Sequence, residues 1–189
     1  AAAPAAPPDA VEPAESSPAS LPAEIFSSAQ HGELKKVVKW LGKTGSVDAF
    51  GSIPSNDGWT ASYALLHIAA THDHLEMVRE LLTRGASVDL PSSLGHTALA
   101  LAAYRGHLSI LLVLLQHSAN PDLQDIHGGA TALMMAAGEG QEACVQALLR
   151  AKANTQLLDE DGHTALQWAE DQGHTAIAEL IRQHAAPPR

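Results

Sequence analysis

The stretch Ser93–Gln124, SLGHTALALAAYRGHLSILLVLLQHSANPDLQ, decides the fold. Two short apolar runs lie either side of Arg105-Gly106-His107, and polar segments containing Gly and Pro bracket the whole. The unit recurs on both sides. Ala69-Ala70 lies 33 residues before Ala102-Ala103, and Ala136-Ala137 lies 34 residues after it. A regular period in this range marks a repeat array, in which each unit needs its neighbours to bury its apolar side.

Working outward, the apolar spacing predicts helix pairs. They run over 64–71 and 75–82, 97–104 and 108–116, 131–138 and 142–149, and 164–171 and 175–183. Leu108–Leu115, LSILLVLL, reads as a buried helix. Thr97, Thr131 and Thr164 stand where a hydroxyl can cap the free amides of an inner helix. A first pair opens at Pro22-Ala23-Glu24, with proline and acid suited to a first turn. Its second helix carries Leu34, Val37, Val38 and Leu41 at i, i+3, i+4, i+7, and lysines 35, 36, 39 and 43 on a solvated face. Between 50 and 64 the sequence FGSIPSNDGWTASYA is rich in turn formers and about eight residues longer than the period requires. Long connections over a rigid scaffold are where binding residues gather, which makes Trp59 a candidate. Residues 1–20 are mostly Ala, Pro, Ser and Glu and read as a linker or tail. Ala-Ala-Pro-Pro at 5–8 recurs at 185–188, as expected of a module cut from a longer chain with Ala/Pro spacers. The expected domain is 21–184, in five units of about 21–50, 51–90, 91–123, 124–157 and 158–184, with 185–189 a linker remnant.

Composition narrows the function. Of 189 residues 46% are hydrophobic but only 4% aromatic, so the interior must be built from closely approaching small helices. The net charge of −10 argues against a nucleic-acid partner, which calls for a concentrated basic surface. No apolar run approaches the roughly 20 residues that span a bilayer. The lone Cys144 excludes an internal disulfide and sits in an apolar stretch, as a buried side chain would. The compartment stays open, with an intracellular one favoured.

The unit resembles the ankyrin repeat, whose pattern is roughly D-x-x-G-x-T-P-L-H-x-A-A-x-x-G-H followed by V-x-x-L-L-x-x-G-A. Here it stands as GHTALALAAYRGH with LLVLLQHSA, GHTALQWAEDQGHTAIAELI, LLHIAATHDH with MVRELLTRGASVD, and GGATALMMAAGEGQ with CVQALLRAKA. Alanines 98, 132 and 165 replace the family's proline, and its histidine survives only as His67. The resemblance implies an all-α solenoid of stacked helix-turn-helix units with β-hairpin-like loops. It implies a non-catalytic module that binds a protein or peptide through a concave groove and hairpin tips. The alternative is a spacer array without a dedicated partner, which would show a uniformly polar groove.

Carried onto this sequence, the groove candidates are His31, His72, Tyr104, Arg105, Glu139 and Asp171. The tip candidates are Leu94, His96, Ile126, His127, Asp161 and His163. Exposed Tyr and Arg tend to dominate interfaces, which singles out Tyr104 and Arg105. The acidic residues toward the C-terminus suit a basic segment on the partner. His74, His107 and His174 share one repeat position, where the family's histidine bonds backbone and ties units together. A structural role is therefore expected for them, with no metal and no cofactor. His96 and His163 share a tip position that can face solvent. Asp159, Glu160 and Asp161 read as solvated turn surface. No catalytic constellation emerges from the motifs, and a monomer is expected.

Overall fold

The computed structural model describes residues 20–44, 46–54 and 60–185. Trp59, most of the Ala/Pro-rich 1–20 segment and all but the first residue of 185–189 lie outside them. Helices come in antiparallel pairs: α1 (Ala23–Gln30) with α2 (Leu34–Thr44), α3 (Leu65–Thr71) with α4 (Leu75–Thr83), and α5 (Ala98–Arg105) with α6 (Leu108–Gln116). They continue as α7 (Ala132–Gly138) with α8 (Glu142–Arg150), and α9 (Ala165–Asp171) with α10 (Thr175–Ala185). The odd-numbered helices stack as an inner layer from α1 to α9, and from α4 to α10 the even-numbered ones stack as an outer layer.

Local chemistry explains the register. Thr97, Thr131 and Thr164 cap α5, α7 and α9, accepting the amides of Ala100, Met134 and Gln167 at 3.2, 3.3 and 3.4 Å. α3 starts after Ala64, which has no hydroxyl to cap it; the reciprocal bond remains, His67 Nδ1 accepting the Ala64 N–H at 3.1 Å as Gln167 Oε1 accepts that of Thr164 at 2.8 Å. Ala102, Ala103, Ala136 and Ala137 are fully buried, so neighbouring inner helices meet across methyl groups. Each small side chain contributes little, but the contact repeats at every interface.

Three lateral devices tie one repeat to the next. His74, His107 and His174 place Nε2 against the carbonyls of Gln30, Thr71 and Gly138 at 2.8, 3.2 and 3.1 Å. This is the tying role expected of them. On the turns that follow the outer helices, Asp48, Asp89 and Asp122 accept the amides of Ser87, Asn120 and Asn154 at 3.0, 2.9 and 2.8 Å. At the tips, the amides of Ser93, Ile126 and Glu160 donate to the carbonyls of Ser62, Leu94 and Gly128.

The course of the chain differs from expectation in three places. The 50–64 insertion is not only a loop. It forms antiparallel strands β1 (Phe50–Pro54) and β2 (Thr60–Ala64), with Ser52 and Ser62 hydroxyls 3.0 Å apart across the pair. β1 is flanked by Ser20, which makes a parallel bridge to Phe50, and Ser62 of β2 bonds Ser93. The hairpin is thus pinned on both sides, and Ser20 belongs to the fold. Second, α6 is not wholly buried: Ile110, Leu111, Val113 and Leu114 are, but Leu112 is 42% exposed on the outer layer. Third, Ala185 continues α10 instead of opening a linker.

Candidate protein-binding groove

The inner helices end in a column of side chains that recurs every 33 or 34 residues: Ile68, Leu101, Met135 and Trp168. Being one turn short of the helix end, these residues face the concave side between the helices and the tips. They floor an open groove of about 690 Å³. The next column outward is Thr71, Tyr104, Gly138 and Asp171, and Tyr104 is 41% exposed with the Arg105 guanidinium 5.5 Å from its ring centre.

The tip side of the groove is shaped by one polar residue per repeat. Ser92 Oγ accepts the His96 N–H at 3.1 Å, Asp125 Oδ1 accepts the Gly128 N–H at 2.7 Å, and Asp159 Oδ1 accepts the His163 N–H at 2.7 Å. Each tip is folded around an acceptor from its own turn, which fixes the turn without a strand ladder. Asp159 also receives the Trp168 indole N–H on Oδ2 at 2.7 Å. Its side chain is only 5% exposed, so it is not the solvated turn residue that the sequence suggests. Burial alone would raise its pKa. The His163 and Trp168 hydrogen bonds outweigh that and hold it below the ordinary carboxylate value.

Of the residues expected to bind, the groove brings together His72, His96, Tyr104, Arg105, His127 and Asp161. The other candidates among the described residues stand apart from its lining. His31 closes α1 and turns Nδ1 to the Ser27 carbonyl at 2.7 Å. Leu94 is half-buried, and Ile126, 62% exposed, sits beside it on the tip row. Glu139 and Asp171 are exposed at the ends of α7 and α9, past the groove floor. At the last tip the His163 side chain is 46% exposed, and His96 is half-buried with Nδ1 enclosed and unpartnered. Burial pushes the His96 pKa down, against the pull of the Asp125 carboxylate. His96 therefore does not stand in solvent as its shared tip position implies.

Tyr63, Leu101, Met135, Trp168, Asp125 and Asp159 also line the groove and were not picked out from sequence. The signal was present in the repeat register. The column one turn before Tyr104 carries its largest residue at Trp168, and Ser92, Asp125 and Asp159 form another column.

The titratable groups carry little reactive chemistry. Cys144 is buried, and burial pushes its thiol up to about 11, far from a thiolate at neutral pH. His72 and His74 stack with ring centres 6.1 Å apart, but each ring is already turned to a backbone carbonyl. Among the described residues no group of three His, Cys, Asp or Glu side chains is placed to hold a metal ion, and no helix is long and apolar enough to cross a membrane.

Comparison with known proteins agrees with this architecture. The family model for ankyrin repeats (3 copies) matches residues 25–125 and 120–188. Ankyrin repeat domain-containing protein 63 of Mus musculus is 42% identical over 107 residues, covering 55% of this chain and 27% of that protein. Palmitoyltransferase ZDHHC13 of Mus musculus is 42% identical over 66 residues, 34% of this chain and 11% of its own. Palmitoyltransferase ZDHHC17 of Rattus norvegicus is 38% identical over 65 residues, 34% of this chain and 10% of its own. The chain thus spans between a tenth and about a quarter of the length of these relatives, and the match to the two transferases lies within the repeats.

Proposed function

This chain belongs to the ankyrin-repeat family, whose repeats are in general non-catalytic protein-interaction modules, and on that premise we propose that it holds a segment of a partner protein along its concave groove. The observation that carries the reading is the groove floor. Leu101, Tyr104, Met135 and Trp168 come from three consecutive repeats and line one open concavity, beside Tyr63 from the hairpin insertion. Apolar side chains brought together at an open surface favour a covering partner, because water leaves them when it docks. A spacer array would gain nothing from such a floor, and a uniformly polar groove would have served it.

Charge refines the partner. Asp125, Asp159 and Asp161 line the tip side, and Glu139 and Asp171 lie past the floor toward the C-terminal end. A protein or peptide with a basic segment fits that end. The Tyr104→Ala/Arg105→Ala double variant removes two exposed groove side chains without touching the buried core. Against lysate of the source cells, it is expected to lose a partner that the intact module retains. Equal retention by both would sink the groove as the working surface.

A further inference from the structure

One part of the groove floor is set by a contact between the last two repeats. Where the second, third and fifth repeats carry Thr71, Tyr104 and Asp171, the fourth carries Gly138. A Cβ at Gly138 would lie 2.8 Å from Cε3 of Trp168, so the indole occupies space that any other residue would fill. The ring is also fixed at its polar end, because Nε1 donates to the largely buried Asp159 carboxylate at 2.7 Å. With its one donor satisfied from within the protein, the half-buried indole needs no partner hydrogen bond. Its remaining exposure is to the groove, and an aromatic ring already held in place loses little freedom on binding. Tyr104 and Met135, from the neighbouring repeats, line the same groove.

The surroundings are acidic. Asp161 lines the groove, and Glu139 and Asp171 are exposed beside Gly138 and at the end of the Trp168 helix. Histidines apart, Arg105 is the only cation among the described residues that line the groove, and its guanidinium lies over Tyr104. Resting on the reading of the groove as a protein-binding surface, we propose that the groove floor formed by Tyr104, Met135 and Trp168 anchors one apolar side chain of an extended partner peptide whose flanking residues are lysine or arginine. The anchor supplies affinity through apolar burial. The flanking cations set orientation and approach rate through Asp161, Glu139 and Asp171.

The test uses labelled synthetic peptides in three pools: Leu, Met or Phe at the centre flanked by Lys and Arg, the same centres flanked by Glu, and Ala at the centre flanked by Lys and Arg. Binding to the whole chain is followed by fluorescence polarisation and by the Trp168 indole N–H resonance, assigned with Trp168→Phe. The first pool is expected to bind about tenfold or more tighter than either of the others and to move that resonance. Asp161→Lys, at an exposed position, is expected to weaken it several-fold while leaving the fold unchanged. Preference for the Glu-flanked pool, equal binding of all three, or no binding at all would each overturn the proposal. A peptide that is lost with Tyr104→Ala/Arg105→Ala but leaves the Trp168 resonance unmoved overturns the anchor while the groove reading survives. Self-association that competes with the peptides would give this floor to a second copy and overturn it likewise.

Discussion

Between about pH 6.5 and about pH 4 the array is expected to lose about 3 kcal/mol of stability through one side chain, His67. The residue is 1% exposed, and burial pushes its pKa down to about 4. Its hydrogen bonds assign the proton. Nδ1 accepts the Ala64 N–H at 3.1 Å, so the N–H must sit on Nε2, which donates to the Leu90 carbonyl at 2.9 Å. Protonation would put a second donor on Nδ1, facing the Ala64 amide that it now accepts. The neutral ring is therefore required by the native structure. In the unfolded chain His67 takes up its proton near the ordinary value of about 6.5, so only the unfolded state gains from falling pH. The contribution is complete above about pH 6.5, declines with falling pH, and is gone below about pH 4. Denaturant titrations of the intact chain and of His67→Gln across this range separate the effect from other acid-sensitive groups. The intact chain should lose about 3 kcal/mol more than the variant over the window. Parallel losses would refute the assignment.

Gly95→Ala is expected to destabilise the array by roughly 3 kcal/mol, a large effect for the addition of one methyl group. Gly95 lies at φ +81° in the third tip, where a side chain is unfavourable by itself. The added Cβ would also stand 2.5 Å from the backbone nitrogen of Ile126. A flexible side chain could swing away from such a contact, but backbone cannot. Ile126 N–H bonds the Leu94 carbonyl, so the methyl group would force apart the tips of adjacent repeats. Gly85 offers the contrast: it has φ +83° but nothing within 4 Å of its ideal Cβ. Gly85→Ala should therefore be the milder of the two, since it bears the conformational cost alone. Equal midpoints for the two variants in thermal or denaturant unfolding would mean that the close tip approach at Gly95 carries no weight.

These two residues also show how far sequence carries. The helices were legible because period, capping threonines and paired alanines repeat, and each copy corroborates the others. The tying histidines His74, His107 and His174 were legible for the same reason. His67 was visible as the surviving family histidine, but its two hydrogen bonds, to Ala64 before its own helix and to Leu90 beyond the next, are set by the tertiary structure. The insertion reads as turn formers because Gly51, Ser52 and Pro54 mask the strand pattern. Its strands pair with each other, and Ser20 and Ser93 pin their outer edges, which is a tertiary fact. The groove shows the same limit. Tyr104 and Arg105 stand out as types, whereas Trp168 matters because the ring of one repeat lies over Gly138 of another. Asp159 reads as an ordinary turn acid, yet it accepts the indole N–H of Trp168. Period places a residue in a column but does not say which neighbour in space it will meet.

On the proposed reading a partner is held on the inner face, between helices and tips, and not on the outer layer where Leu112 is exposed. The most direct measurement places a photo-activatable cross-linking amino acid at Tyr104 in one protein and at Leu112 in another. Each is irradiated with the partner that the intact module retains, and the covalent adduct is quantified. The groove reading predicts a strong adduct from position 104 and little from position 112. An adduct formed from position 112 and absent from position 104 would contradict it.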